Sequence, residues 1–473
     1  MTTTIAKKEF TEIFRDGRFR WIAGVLLLML LVAAITGWNQ AQETKAEREA
    51  AAKMDEQTWL AQGNKNPHSA AHFGHSAFKP AAALSYVDQG LNAYLGVAIW
   101  LEAHYQNLSS HRPIEDKTAL QRFGELTLAW TLQYLVPLLI ILLAFSAFAG
   151  ERERGTLRQL VSLGVPSRKL ALGKALGVAA ALALVLIPAT ILAAVLLAGL
   201  RTGESFGEAA LRFITLSGSY LLYFAAILGL SLAVSAKVKS SRVALLSLLG
   251  FWLISSLLAP RLASDFAERL HPSPAVSEFW SAINKDMQEG IDGHNPSDER
   301  NKQLQAKILA QYNVKELKDL PVNFAGIALQ EGEEYGNQIF DKHHSRLWAL
   351  YGKQAGAQQF ASVISPLLAV RNVSMGLAGT DLYQHRHFAE QAEAHRRKIV
   401  KLLNEDMTRN AGTQDYNYLA DPALWSKVPQ FEYAPPSLGW VLGNQFGNLL
   451  ILGLWCAATA FIAARAAGKM RVD

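Results

Sequence analysis

Among 473 residues there is one cysteine, Cys456, and it lies inside an apolar run. No disulfide can form within the chain, so any part facing an oxidising compartment must fold without one. Charge is scarce as well. Asp, Glu, Lys and Arg make up 18% of the residues, against roughly a quarter in ordinary soluble domains. The shortage is local: Trp21–Trp38, Leu126–Gly150, Ala175–Leu200, Phe213–Ala236, Val243–Pro260 and a run within Tyr433–Ala464 contain no acidic, basic or histidine side chain. A spanning helix needs roughly 20 mainly apolar residues, and in hydrocarbon each backbone polar group must be satisfied within its own segment. The six runs therefore predict an all-α polytopic membrane protein with six transmembrane helices.

Catalytic signatures are missing too. No G-x-x-x-x-G-K-[ST] occurs; Gly173-Lys174 and Gly352-Lys353 lack the earlier glycine and the following hydroxyl. Without that phosphate cradle the chain has no P-loop route to ATP hydrolysis. Neither H-E-x-x-H nor G-x-S-x-G is present, which removes the commonest metalloprotease and hydrolase patterns. Ion-coupled carriers usually keep a charged group within the bilayer. The six runs offer none, so motion driven from outside the membrane is favoured.

What is present sets orientation. Lys7, Lys8, Arg15, Arg18 and Arg20 precede the first run; Arg152, Arg154, Arg158, Arg168, Lys169 and Lys174 separate the second from the third. Lys237, Lys239 and Arg242 follow the fourth, and Arg465, Lys469 and Arg471 end the chain, whereas the third-to-fourth connection has only Arg201 and Arg212. By the positive-inside rule both termini are cytoplasmic. Topology accounts for the net charge of +6, and no nucleic-acid partner is required. The first run is followed by Thr36-Gly37-Trp38-Asn39, without a small-x-small cleavage site, and reads as an uncleaved anchor. The expected order is a cytoplasmic segment 1–20, spans at 21–38, 126–150, 175–200, 213–236, 243–260 and 437–464, cytoplasmic connections 151–174 and 237–242, a short external loop 201–212, and a cytoplasmic tail 465–473. Two large external inserts, 39–125 and 261–436, remain. Pro137 and Pro188 mark sites of bending within the spans.

Both inserts read as mainly helical. AQETKAEREAAAKMDEQTWL is rich in helix formers and continues the first span outward as a stalk. LNAYLGVAIWLEAHYQNL is apolar on one side at helical period. From Asp381 to about Asn410, Leu382, Phe388, Ala392, His395, Ile399 and Leu402 form one apolar stripe, with Glu393/Arg397 and Glu405/Arg409 on the exposed side. Gln354–Val370 is charge-free but short, contains Pro366 and is not a span; a helix lying against the membrane surface is one alternative open to it. All twelve histidines fall in the inserts. His68, His72 and His75 stand at i, i+4 and i+7, a spacing that suits Zn²⁺ or Cu²⁺ on a helix. Pro67 and Gly74 interrupt that helix and no carboxylate cluster or cysteine accompanies it, so surface or structural histidines are the expectation.

Glu151 to Lys174, ERERGTLRQLVSLGVPSRKLALGK, is a charged island between two greasy runs. Leu157, Leu160, Val161 and Gly164 fall on one helical face, Arg154, Arg158 and Gln159 on another; Thr156 is placed to satisfy free amides at the start, and Pro166 ends the element. Glu151, Glu153, Gly155, Thr156, Leu157, Leu160, Pro166, Ser167, Arg168, Gly173 and Lys174 resemble the segment after span two in permeases of the ABC type-2 exporter family. The resemblance implies a coupling helix that docks on a separate ATPase subunit, with ATP and Mg bound there, two ATPase copies, and a second identical or related permease, all in a bacterial inner membrane. SAAHFGHSAFKP, GVAIWLEAHYQN and SPLLAVRNVSMGLAGTDLYQHRHF are similar to the wording of a subgroup with two large periplasmic inserts of unknown function. Those inserts would cap an exit path or receive a periplasmic partner. The alternative function is mechanotransmission, in which ATP hydrolysis rearranges the external domain without moving a substrate.

Overall fold

Among the described residues, six helices are long and apolar enough to cross a membrane. They are α2 (Gly17–Leu60), α4 (Leu128–Glu153), α6 (Ser167–Gly199), α7 (Phe206–Lys237), α8 (Ser241–Leu270) and α14 (Leu438–Gly468). The computed structural model describes the chain except residues 117, 119–125, 201–202, 289–298 and 471–473. Arg201 and Arg471, named above, lie outside the described residues, as do His294, one of the twelve histidines, and the boundaries at 125 and 201. Side-chain caps begin most of the spans: Asp16 accepts from the amide of Arg18, Ser205 from Glu208, Ser240 from Arg242 and Ser437 from Trp440. A further helix not foreseen, α1 (Thr2–Arg15), precedes them and breaks from α2 at the extended Asp16. α1 is amphipathic.

Two spans contain widened π turns, Thr131–Leu135 in α4 and Ile254–Leu258 in α8. Each ends two residues before a proline, Pro137 and Pro260. Proline lacks an amide hydrogen and its ring crowds the carbonyl one turn back, and a wide turn accommodates both. Pro188, by contrast, sits within uninterrupted α-helix in α6.

The bundle is organised around α7, which buries Tyr220, Tyr223, Phe224, Ile227 and Leu232. A Cβ added to Gly229 would come 2.8 Å from Thr459 Oγ1, so α7 and α14 approach as small-residue helices do in membranes. Between them enters α12 (Pro366–Ala378), whose Leu367, Val370, Val373 and Leu377 join the same core. This corrects the alternative of one surface helix at Gln354–Val370. The segment is split: α11 (Phe324–Ala361) ends, Ser362–Ser365 turns, and α12 is buried. At 13 residues, or roughly 20 Å, α12 is too short to span. Ser365 Oγ donates to the Ser255 carbonyl at 2.7 Å, using the backbone freed by the π turn.

The inserts together form one head. α2 carries the stalk to Leu60, where Trp59 Nε1 donates to the Trp425 carbonyl at 3.1 Å and Trp425 Nε1 to the Gly63 carbonyl at 2.8 Å. α13 (Leu382–Asn410) buries Phe388, Ala392, Ile399 and Leu403 against α3 (Pro67–Phe73) and a small sheet. That sheet is β1 (His75–Phe78), β2 (Ala98–Glu102) and β3 (Tyr105–Gln106), antiparallel in that order, with Ser76 opposite Trp100. α9 (Val276–Gln288) and α10 (Glu299–Tyr312) pack on α11. The sheet overturns the helical reading of LNAYLGVAIWLEAHYQNL. A Cβ on Gly96 would lie 2.5 Å from the backbone of Ser109 and Ser110, and His104 takes a positive φ of 68° to turn the chain. Close backbone pairing and a left-handed turn residue suit a hairpin, not a helix. On α13, Glu393 is buried rather than exposed, because it grips Arg396 as well as Arg397.

Hydrogen bonds lock head to bundle. Asp88 accepts from Ser374 Oγ at 2.5 Å, and Ser374 contacts the Tyr220 hydroxyl at 3.0 Å. Gln133 donates to that hydroxyl, and Tyr223 donates to the Gln133 carbonyl. Burial raises the Asp88 and Asp381 carboxyls above their ordinary values; Asp381 accepts from Gln445 at 3.0 Å.

Candidate functional site

The charged island folds as the end of α4, a left-handed turn, the helix α5 (Thr156–Ser162) and the start of α6. Gly155 makes the turn at φ 75°, and Gly164, also left-handed at φ 72°, closes α5. Only glycine enters that region without a steric cost. Thr156 does not cap the helix: Gly155 occupies the cap position, and the Thr156 hydroxyl donates instead to the Glu151 carbonyl at 3.2 Å. Leu157 is fully buried, and Leu160 packs partly against the bundle core. Pro166 stands at the cap of α6 and Ser167 is its first residue. Arg154, Arg158, Gln159, Leu163 and Arg168 face outward, Leu163 being 80% exposed.

The alternating charges have separate partners. Glu151 is buried and accepts from Lys174 Nζ at 2.9 Å and from Lys8 Nζ at 3.3 Å. Lys174, 1% exposed, also reaches Glu9 of α1 at 2.5 Å and lies 5.6 Å over the Phe148 ring. Burial opposes the charge on Lys8, yet Glu151, Glu12 and Glu9 hold its ammonium above the ordinary lysine value. Arg152 donates to the carbonyls of Val238 and Ala236 at the end of α7. Glu153 accepts from the Ser241 amide at 2.9 Å and hydroxyl at 2.7 Å, at the start of α8. The island is thus braced on α1, α6, α7 and α8 while its tip stays exposed.

α1 seats on α6 through glycine. A Cβ on Gly173 would lie 2.6 Å from Ile5, and one on Gly177 would lie 2.5 Å from Glu9 Cβ and 2.9 Å from the Ala6 carbonyl. Gly173-x-x-x-Gly177 is a small-x-x-x-small ridge that lets two backbones approach. The Gly-Lys pair of the island therefore does two jobs: Gly173 admits α1 and Lys174 pairs with its Glu9. Glu9 and Gly177 were not singled out from sequence, and Lys8 only as a marker of orientation; the glycine spacing alone could have pointed to the groove.

Above the island, α2, α4, α6 and α7 line an apolar cavity of about 580 Å³, with Leu30, Leu132, Leu182, Ile187, Phe213 and Phe224 in its wall. Of the three spaced histidines, His68 and His72 lie together on α3 with their Nε2 atoms 3.1 Å apart. His75 does not join them. α3 ends at Gly74, and His75 starts β1 with its Nδ1 3.5 Å from Asp55 Oδ2. His104 takes the third place.

A six-helix bundle with a braced polar tip and a hydrogen-bonded head defines a multi-pass α-helical membrane protein. Residues 93–255 match the family model described as ABC-2 family transporter protein, and residues 276–434 match a domain of unknown function. These two matches are consistent with an ABC-2 permease that carries an extra domain. No curated protein matches the chain. The family is a membrane transport component that works with an ABC ATPase subunit, not a catalytic enzyme in its own right.

Proposed function

We propose that this chain is the permease subunit of an ABC-2 exporter and that Glu151–Arg168 is where its ATPase docks. The observation that carries the reading is the exposed α5 tip, with Arg154, Arg158 and Leu163 outward, braced from behind by Glu151–Lys174, Arg152–Val238 and Glu153–Ser241. A force applied to such a tip reaches α1, α6, α7 and α8 together. ATP and Mg sit on the partner ATPase; two ATPase copies serve a pair of permeases, this chain with itself or with a relative. Both termini and the island face the cytoplasm of a bacterial inner membrane, and the head faces the periplasm. The apolar cavity between α2, α4, α6 and α7 suits an apolar or amphipathic substrate entering from the bilayer.

Docking is tested by co-purification with the ATPase and by its activity in the reconstituted complex. Arg158→Glu and Leu163→Glu alter only exposed side chains, so they are expected to release the ATPase while the permease stays monodisperse. Full assembly and wild-type ATPase stimulation in both variants refutes the site. A second reading, mechanotransmission, is favoured by the Asp88–Ser374–Tyr220 chain joining head to α7. Under it, ATP turnover changes distances between spin labels in the head, and no substrate crosses proteoliposomes.

A further inference from the structure

The head brings three imidazoles to one point from two elements distant in sequence. His68 and His72 stand one turn apart on α3, and His104 projects from the β2–β3 turn. One ring nitrogen from each lies within 4.8 Å of the other two. The Nε2 atoms of His68 and His72 are 3.1 Å apart. Two nitrogens bound to zinc at about 2.0–2.1 Å in a tetrahedron stand about 3.3 Å from each other. The pair is already at ligand spacing.

The surroundings are those of a ligating histidine. His104 Nδ1 lies 2.7 Å from Glu333 Oε1, and the same oxygen accepts the His104 amide at 2.8 Å. Engaging Nδ1 turns Nε2 toward the other rings, the arrangement by which carboxylates orient metal-binding imidazoles. Arg396 in turn bonds Glu333 at 3.2 Å, Glu393 and Asn337. His104 holds a positive φ of 68°, a conformation that costs energy in a residue with a side chain and is concentrated at functional sites. His68 is buried, His104 half-buried and His72 exposed, so the cluster opens on one side.

We infer that His68, His72 and His104 form a binding site for a zinc-class divalent cation, held by three neutral imidazoles with the fourth position open to water or an incoming ligand. Glu333 is its positioning residue. The cation joins α3 to the hairpin and, through Glu333, to α11, so it ties the first insert to the second. This reverses the sequence expectation, which placed His75 in the set and found no supporting carboxylate; the carboxylate comes from 229 residues away.

The test uses the full-length chain in detergent, purified on a tag without histidines and stripped with EDTA. ZnCl₂ is titrated against a chromophoric chelator, and CoCl₂ is added separately for its visible spectrum. One zinc per chain, tetrahedral cobalt bands and a melting temperature several degrees higher with zinc are expected. His72→Ala, an exposed substitution that leaves folding intact, should weaken zinc at least about 100-fold, as should His104→Ala, whereas His75→Ala should bind as wild type. Glu333→Gln should weaken it about 10–100-fold and shift the cobalt spectrum, which a merely structural role would leave alone. Absence of saturable one-to-one zinc uptake, or wild-type affinity in His72→Ala and His104→Ala, overturns the site. Equal loss in His75→Ala overturns the assignment of its ligands.

Discussion

Replacing Lys174 with Met tests the physical basis of the island. Lys174 is 1% exposed and contacts Glu9 at 2.5 Å and Glu151 at 2.9 Å, two carboxylates that are themselves 8% and 3% exposed. Removing the cation leaves two buried negative charges facing each other with only the half-exposed Lys8 nearby. Breaking a buried pair from one side costs about 3–5 kcal/mol, because the remaining charge keeps its desolvation penalty. Two stranded carboxylates place Lys174→Met at the upper end of that range. Adding Glu9→Gln removes one of them and leaves Glu151 to Lys8, so the double variant should be more stable than the sum of the singles by about 1–3 kcal/mol. Lys8→Ala, at the rim, should cost no more than about 1 kcal/mol. The assay is equilibrium unfolding in mixed micelles followed by tryptophan fluorescence. A Lys174→Met variant within about 1 kcal/mol of wild type, well short of a buried-pair loss, refutes the reasoning, and so does strict additivity with Glu9→Gln.

Three further outcomes are expected. Gly177→Leu should push α1 off α6, since even a Cβ there meets Glu9 at 2.5 Å; protease access to the α1–α2 junction at Asp16 reads this out, and unchanged cleavage would refute the packing. Burial pushes His385 down to about 3, and His395 and His344 down to about 4. Below pH 6.5 the unfolded chain takes up protons that the folded head refuses until pH 3–4, so stability falls as pH drops from 6.5, by at most about 1.4 kcal/mol per pH unit for each histidine. The check is melting temperature at pH 7 and 5.5, and His395→Leu should flatten the slope by about a third of the three-histidine sum. Finally, with Cys456→Ser as background, Ser162→Cys should resist a membrane-impermeant maleimide in intact cells while Gly63→Cys reacts; the opposite pattern would invert the proposed topology.

The bundle was legible because hydrocarbon leaves a chain so few choices. A run such as Ala175–Leu200 has to be a helix whatever it packs on. The bracing of the island was half legible. Gly173, Gly177 and Lys174 stand in view, but Glu9 becomes their partner only when α1 folds back 165 residues away. The apolar strand Ala98–Glu102 misled because periodicity over a short run does not separate helix from strand; Gly96 and the left-handed His104 decided it, and both act through contacts made elsewhere in the fold. α12 was hidden for a similar reason. Its Asn372 and Ser374 look like surface polarity until Asp88, Tyr220 and Asn448 are placed beside them.

The unbroken length of α2 has a mechanical consequence. Its 44 residues make a rod of roughly 65 Å, pinned below by α6 and above by Trp59 against Trp425. Because no wide turn or proline interrupts it, it transmits tilt instead of absorbing it. A rotation of about 5° about its inner end carries the outer end some 6 Å, by the geometry of a straight helix of that length. A small tilt at the Asp16 end of the rod is therefore delivered, enlarged, to the head.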